Sequence, residues 1–225
     1  MTASSGEANP ALALVRPNVA PTDRIRVVGQ MIRKRSPRRV LELGAGDYSF
    51  ESVADPSRTS WVKADWAQPC DVVCEFNSQD LHLPWPDESF DLIVITEVLE
   101  HLLWPESVLR EARRLLPPTG GVLISVPNAV SLSYRIAWAI GHLPSCAACG
   151  NLSFGPTTYR TESGMLMGGH VIDFSKSRLT QLLGTTGFRV AEMRGSGIIR
   201  RGQLLPHWLV PPSLASNLIC LGAPA

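Results

Sequence analysis

The segment TEVLEHL, residues 96–102, carries the side chains of this sequence that are best suited to chemistry. Glu97 stands three positions before Glu100 and four before His101, a spacing that puts side chains on one side of a helical turn. His170, in the later segment GGH, is expected to join them. An imidazole that titrates near neutral pH suits a general base, so His101 and His170 are the candidate catalytic residues.

The same four side chains offer oxygen and nitrogen ligands for a divalent metal ion. Magnesium or another divalent ion held by Glu97, Glu100, His101 and His170 would lower the pKa of a bound hydroxyl. A simpler interpretation is that Glu100 and His101 cap and solvate the start of a helix. The sequence leaves both interpretations open.

A turn that contains two glycines follows the first strand pattern, in RVLELGAGDYSF at residues 39–50. Gly44 and Gly46 permit backbone conformations and a close approach that a side chain would prevent. Asp65 ends the next strand, WVKAD, where an acidic side chain can accept hydrogen bonds from both hydroxyls of a ribose. Because ligands bind beyond the carboxyl ends of parallel strands, these residues predict a nucleoside-binding crevice.

Alternating strand and helix patterns must position these residues. Short strands are predicted at RVLEL, WVKAD, DVVCEF, FDLIVIT, GVLISV, FRVAEM and NLICLGA, and uninterrupted apolar runs such as LIVI and VLISV suit strands that are covered on both faces. Helices are expected from about Thr22, Pro105 and Ser175, each with one apolar stripe. This order predicts an α/β fold with a Rossmann-like, doubly wound sheet and helices on both faces.

Length, composition and charge predict one domain with a small-molecule partner. The 225 residues are 44% hydrophobic, which is enough for one core. We expect a flexible arm at residues 1–21 and a single domain at 22–225, in which the irregular stretch 127–174 forms a substrate lid. A net charge of +1 favours neither nucleic acid nor an acidic membrane. Without a signal-peptide pattern or a transmembrane segment, the expected location is cytoplasmic.

Five segments between residues 38 and 194 form a recognisable pattern. They are VLELGAGDYSF, Asp65, LHLPWPDESFDLIVITEVLEHL, PESVLREARRLLPPTGGVLISVPN and GGHVIDFSKSRLTQLLGTTGFRV. In this pattern the sequence resembles the class I S-adenosylmethionine-dependent methyltransferases, and in particular those of type 11. The resemblance implies S-adenosylmethionine as the cofactor and a seven-stranded sheet whose last strand, NLICLGA, is antiparallel. The SVPN segment and the pattern after it are similar to bacterial enzymes that act on small metabolites, sugars or lipid-linked intermediates.

The resemblance implies roles for the glycine turn and for Asp65. Glu42, Gly44 and Gly46 match an acidic-x-Gly-x-Gly loop that lies beside the methionine moiety, and Asp65 matches the acidic residue on the adenosine ribose. The family pattern has a glycine where this sequence has Tyr48. Either the loop is displaced slightly and the cofactor still binds, which we favour, or the cofactor site is lost and the chain is a non-catalytic binding subunit.

The resemblance also implies three cofactor contacts further along the chain. Asp80 and Leu81 match the adenine contact, although Asp80 stands one residue closer to Leu83 than in the common pattern. Glu97 is expected to face the cofactor.

Methyl transfer from a sulfonium is a direct displacement, so positioning can supply much of the rate. An alcohol acceptor needs a base, whereas an amine need only be neutral. We therefore expect a methyltransferase for a small-molecule, sugar or lipid-linked acceptor, acting at oxygen. The alternatives are the non-catalytic subunit and a divalent-metal-dependent O-methyltransferase like those that carry a Glu-x-x-Glu-His motif and a later histidine. A nicotinamide-dependent dehydrogenase is disfavoured because the third glycine of the dinucleotide fingerprint is absent.

Overall fold

The computed structural model describes residues 23–46, 48–66, 69–141, 158–160, 166–168, 170–200, 203–205 and 207–225. The expected N-terminal arm lies outside these residues, as do residues 142–157, 161–165 and 169 of the expected lid. Both therefore stay predictions.

One seven-stranded sheet organises the described residues. Its strands are β1 (Arg39–Leu43), β2 (Ser60–Asp65), β3 (Val72–Val73), β4 (Leu92–Thr96), β5 (Gly121–Pro127), β8 (Phe188–Gly195) and β11 (Asn217–Pro224), in the order β3-β2-β1-β4-β5-β11-β8. β11 runs antiparallel to both of its neighbours, and the other described pairings of this sheet are parallel. The predicted Rossmann-like sheet with an antiparallel last strand is confirmed.

Helices cover both faces of the sheet, as predicted. Helix α1 (Asp23–Arg35) packs Val27, Val28 and Ile32 against one face. Helices α2 (Pro105–Leu115) and α4 (Lys176–Thr185) bury their apolar stripes against the other face. The remaining described helix, α3 (Leu132–Ala139), has no buried residue. None of these helices is both long and apolar enough to cross a membrane.

Two short hairpins stand outside the large sheet. β6 (Thr158–Arg160) pairs with β7 (Leu166–Gly168), and β9 (Ile198–Arg200) pairs with β10 (Gln203–Leu205). Both hairpins are antiparallel.

The first half of the fold has little helix after β1, and its third strand is shorter than the sequence predicted. Between β1 and β2, the described residues form one helical element, the 3₁₀ turn Glu51–Val53. The predicted strand at 71–76 was too long, because β3 is an edge strand that pairs with β2 over two residue pairs, Ala64 with Val72 and Asp65 with Val73. The crevice beside the first strands is therefore bordered by loops.

Residues at the ends of strands lie together along one edge of the sheet. The carboxyl ends of β1, β2, β4 and β5 lie along this edge, which is termed the carboxyl edge below. Because β11 is antiparallel, its first residue, Asn217, pairs with Pro127 at the end of β5 and lies on the same edge.

Candidate functional site

The turn after β1 requires glycine for two separate reasons. Gly44 has φ of 72° and Gly46 has φ of 50°, in the left-handed region that favours glycine. A Cβ atom at Gly44 would also overlap Cγ2 of Val98, whereas a Cβ atom at Gly46 would have no atom within 4 Å. The turn thus packs tightly at Gly44 and leaves open space at Gly46.

Asp65 lies directly beside this turn, as the sequence predicted. Its side chain is buried, Oδ2 accepts a hydrogen bond of 2.9 Å from the Gly46 amide, and Oδ1 accepts one of 2.7 Å from the Trp66 amide. A carboxylate offers about four acceptor positions, so each oxygen keeps capacity for a further donor. The structure therefore brings together the carboxylate and the open side of the turn.

Glu42 supports the turn through hydrogen bonds to the residues that follow it. Its buried carboxylate accepts hydrogen bonds from the Ser49 hydroxyl at 2.5 Å, the Phe50 amide at 3.1 Å and Trp61 Nε1 at 2.9 Å. Burial raises the pKa of Glu42 above its ordinary value, although these donors oppose the shift. The sequence did not predict this supporting network, and the expected place of Glu42 beside the methionine moiety stays a prediction.

Tyr48 does not enter the protein core. Its ring is 44% exposed and meets the buried Phe50 ring edge to face, with centroids 5.1 Å apart. A cavity of about 320 Å³ opens next to the turn and is lined by residues that include Gly46, Ser49 and Lys63. Tyr48 does not line this cavity.

The segment expected to contact adenine is held against helix α2. The Ser107 hydroxyl donates to the Gln79 carbonyl at 2.7 Å, and Glu111 accepts from the Leu83 amide at 2.8 Å. Between these anchors, Asp80 is exposed and Leu81 is half-buried against the core. Their contacts with a cofactor stay predictions.

Arg114, which the sequence reasoning missed, fixes the same segment. Its guanidinium donates to the carbonyls of Leu83 and Trp85 at 3.1 and 2.8 Å, and it pairs with Glu111 at 2.7 Å and Asp87 at 2.8 Å. A hydrophobic-stripe analysis of α2 gives no signal for such a contact, because Arg114 lies beside the stripe.

Glu97 leaves the end of β4 in an unusual conformation. Its φ is 55°, a region that costs a non-glycine residue on the order of 1–3 kcal/mol and that often occurs at functional sites. Its carboxylate accepts hydrogen bonds from the Ser125 hydroxyl at 2.8 Å and from Asn217 Nδ2 at 3.1 Å. The side chain is thus bound to β5 and β11.

Glu100, His101 and His170 come together as the sequence predicted. Their candidate ligand atoms all lie within 4.8 Å of one another, and the rings of His101 and His170 are 5.1 Å apart in an edge-to-face arrangement. The Val171 amide donates to the Glu100 carbonyl at 2.8 Å and so holds the two segments together. Glu97 does not belong to this three-residue cluster, which differs from the four-residue set that the sequence suggested.

The Glu100 carboxyl has an unusual environment. It is 1% exposed, and neither oxygen has a hydrogen-bond partner among the described residues. Burial, and secondarily the charge of Glu97, raises the pKa of Glu100 well above its ordinary value. A buried, unpaired carboxylate is costly, so this group is either protonated or paired with a cation.

His170 is held in a form that can accept a proton. Partial burial, followed by the nearby His101, lowers the pKa of His170 below its ordinary value of 6.5. His101 Nε2 lies 4.0 Å from Glu100 Oε1. At neutral pH this arrangement presents a neutral imidazole, which suits a base or a metal ligand.

Val98 connects this cluster to the glycine turn. Its side chain packs against Gly44, and it stands two residues before Glu100. β1 and β4 are adjacent strands, so the predicted nucleoside crevice and the histidine pair share the carboxyl edge. A reacting group held at the turn would thus lie near a proton acceptor.

A model of the family described as "Methyltransferase domain" matches residues 20–193 of this chain. The chain is similar to a probable S-adenosylmethionine-dependent methyltransferase of Mycolicibacterium smegmatis, at 29% identity over 178 residues, which cover 75% of the chain and 59% of the relative. It is also similar to malonyl-(acyl-carrier protein) O-methyltransferase of Halorhodospira halophila, at 33% identity over 124 residues, which cover 46% of the chain and 40% of that relative. The chain thus spans less than two thirds of the length of either relative.

Solved structures share the fold at low sequence identity. The CcbJ methyltransferase of Streptomyces caelestis matches with a TM-score of 0.59 and 14% identity, covering 92% of this chain and 97% of that one. The 1,6-didemethyltoxoflavin-N1-methyltransferase of Burkholderia thailandensis, solved with its substrate and S-adenosylhomocysteine, matches with a TM-score of 0.53 and 17% identity over 89% and 77% of the two chains.

Proposed function

The chain belongs to the class I S-adenosylmethionine-dependent methyltransferase family, and we propose that it methylates an oxygen atom of a small-molecule, sugar or lipid-linked acceptor. The observation that carries the choice of oxygen is the His101–His170 pair, which lies on the same carboxyl edge as the glycine turn and is linked to it through Val98. An alcohol loses a proton on methylation, and a neutral imidazole at this position can accept it. The name of the Halorhodospira relative, an O-methyltransferase, supports the same choice.

The residues of the turn fit the cofactor. Bound S-adenosylmethionine supplies an electrophilic methyl group on a sulfonium sulfur. The open space beside Gly46 admits a close approach, and each Asp65 oxygen, with one described hydrogen bond, can accept one more from a ribose hydroxyl. Glu42 holds the loop through Ser49 and Phe50, so the turn is fixed before anything binds.

His170 takes the role of proton acceptor in this proposal. Its lowered pKa keeps it neutral at neutral pH, and its ring meets that of His101, which lies 4.0 Å from the buried Glu100. A general base of this kind contributes about 10²–10⁴ in rate. Asp80, Leu81 and Glu97 stay proposed cofactor contacts, with Glu97 positioned by Ser125 and Asn217.

An assay of S-adenosylhomocysteine release tests the choice of oxygen. Matched pairs of hydroxyl and amine acceptors are offered to the wild type and to His170→Asn. We expect turnover of hydroxyl acceptors and a fall in kcat of about 10²–10⁴ in the variant, with S-adenosylhomocysteine affinity unchanged. Turnover of amines alone, with equal kcat in both proteins, would contradict the proposal.

A divalent-metal-dependent O-methyltransferase is the second candidate, and the unpaired Glu100 carboxyl favours it. The clustered atoms of Glu100, His101 and His170 provide one oxygen and two nitrogen ligands within 4.8 Å. Two imidazole ligands suit a transition metal ion such as zinc or iron better than the magnesium ion first considered, which prefers oxygen ligands. Glu97 lies outside this cluster, with its carboxylate bound to Ser125 and Asn217.

Metal removal separates the two candidates. If the reaction depends on a metal, EDTA should abolish turnover and one kind of divalent ion should restore it. The wild type should then bind one equivalent of that ion, and Glu100→Gln should bind none. Turnover that EDTA leaves unchanged excludes the metal and leaves the histidine base.

A further inference from the structure

Large hydrophobic side chains are exposed mainly along the carboxyl edge. Those in the segments at this edge are Tyr48, Leu103, Val130, Leu132, Ile136, Trp138, Ile140, Val171, Trp208 and Leu209. Val73, in β3, is the one other described residue of this kind. The loops at the opposite edge, 36–38, 55–59 and 117–120, expose no large hydrophobic side chain.

Helix α3 provides much of this surface. It begins after β5, its N-cap Ser131 accepts a hydrogen bond from the Tyr134 amide, and none of its residues is buried. Trp138 is 62% exposed, and Ile140, just after the helix, is 68% exposed. A helix of this composition normally buries one side against a partner, so its apolar surface indicates a contact outside the described fold.

A second segment continues the surface from α3. The Leu132 amide donates to the Leu214 carbonyl at 3.0 Å, which joins the start of the helix to the chain before β11. The same segment includes the turn His207–Leu209, where Trp208 is 71% exposed. Trp208 also borders a groove of about 460 Å³ together with Met193 and Arg194. We define α3, Ile140 and Trp208–Leu209 as the apolar edge.

The chain around the apolar edge is cationic, although the whole protein is almost neutral. Residues 112–161 contain no aspartate or glutamate, and neither do residues 193–225. Of the arginines in these stretches, Arg135 is exposed on α3 and Arg194 borders the groove beside Trp208. Exposed tryptophan and aliphatic side chains with arginines and without acidic residues are typical of a surface that binds an anionic lipid interface.

We propose that the apolar edge docks on an anionic lipid bilayer, and that the acceptor methylated beside it is lipid-linked. The second half of the statement rests on the proposed function. Leu103 stands two residues after His101, and Val171 follows His170, so exposed apolar side chains border the histidine pair itself. A headgroup at the bilayer surface would thus reach the site without leaving the membrane.

Sedimentation with vesicles tests the docking. The full chain is mixed with phosphatidylcholine vesicles that contain about 30% phosphatidylglycerol, or none. We expect binding to the anionic vesicles that weakens with salt, and a loss of about 100-fold in Trp138→Ser/Trp208→Ser, because each of the two large side chains removed from a lipid contact changes the binding constant by about tenfold.

A matched variant changes the opposite edge. Arg33 and Arg38 are exposed and line a cavity of about 820 Å³ at that edge. Arg33→Gln/Arg38→Gln should keep vesicle binding within about twofold. Equal unfolding midpoints and equal S-adenosylhomocysteine affinities in all three proteins show that the substitutions leave the fold intact.

Each other outcome overturns the docking. It fails if the wild type does not sediment with anionic vesicles, if the tryptophan variant binds like the wild type, or if only the arginine variant loses binding. It also fails if the apolar edge proves to join two copies of the chain, seen as a dimer that the tryptophan variant abolishes. Vesicle binding without S-adenosylhomocysteine binding would contradict the proposed function and leave the docking intact.

Discussion

Replacing Gly44 by alanine tests the packing that joins the glycine turn to the histidine cluster. An alanine there must adopt φ of 72°, which costs about 1–2 kcal/mol. Its Cβ atom would also overlap Val98 Cγ2, and overpacking of this kind costs about 1–3 kcal/mol. The expected loss in the free energy of unfolding is roughly 2–5 kcal/mol, a large part of the roughly 5–15 kcal/mol of an ordinary domain.

Gly46→Ala is the matched control for this substitution. Its φ of 50° incurs the same cost of about 1–2 kcal/mol, but no atom lies within 4 Å of the added methyl group. This variant should lose only that backbone cost of about 1–2 kcal/mol in stability, and it should lose affinity for S-adenosylhomocysteine, because the methyl group occupies the open space beside the turn.

Urea unfolding at constant m-value measures the difference in stability between these two variants. A third variant tests whether the overlap with Val98 causes that difference. Adding Val98→Ala to Gly44→Ala removes the overlapping methyl groups and should recover about 1–3 kcal/mol. Equal midpoints for Gly44→Ala and Gly46→Ala, or no recovery in the double variant, would refute the close contact between the turn and Val98.

Three further predictions concern charged groups. Because burial raises the pKa of Glu100, the contribution of its carboxyl to stability is present below pH 4.5 and is lost as pH rises through the folded-state pKa. With metal removed, Glu100→Gln should therefore gain stability relative to the wild type as pH rises from 4 to 8. Urea unfolding measures this gain, which is about 1.4 kcal/mol for each unit by which the pKa is raised. Because His170 acts when neutral and its pKa is lowered, the acidic limb of a kcat profile should lie below pH 6.5, and a midpoint above 7 would exclude His170 as the base. Arg114→Ala should lose on the order of 2–3 kcal/mol of stability together with cofactor affinity, while the exposed Arg110→Ala on the same helix should lose neither; equal effects in calorimetry would contradict the anchoring of the adenine segment.

The sequence predicted the parts of the site that depend on strand order. Asp65 and Gly46 meet because parallel strands end at one edge, and the apolar runs that define β1 and β2 are readable in the sequence. His170 joins His101 as expected, and the resemblance supplied the antiparallel last strand.

Contacts between distant segments could not be predicted in this way. The orientation of the Glu97 side chain depends on its positive φ and on hydrogen bonds from Ser125 and Asn217, which are 28 and 120 residues further along the chain. The support of the turn by Glu42 and Trp61 likewise requires the register between β1 and β2. The short length of β3 reflects its pairing with β2 over two residue pairs, which the residue types at 71–76 do not reveal.

Binding of S-adenosylhomocysteine by titration calorimetry tests most directly that the crevice beside Gly46 and Asp65 holds the cofactor. We predict saturable binding by the wild type, no binding of NAD, and a loss of roughly 100-fold in Asp65→Ala, because hydrogen bonds to a charged group contribute about 1.5–3 kcal/mol each. Asp55→Ala, which removes an exposed carboxylate at the opposite edge, should bind like the wild type. No saturable binding by the wild type, or equal affinities of the two aspartate variants, would contradict the account.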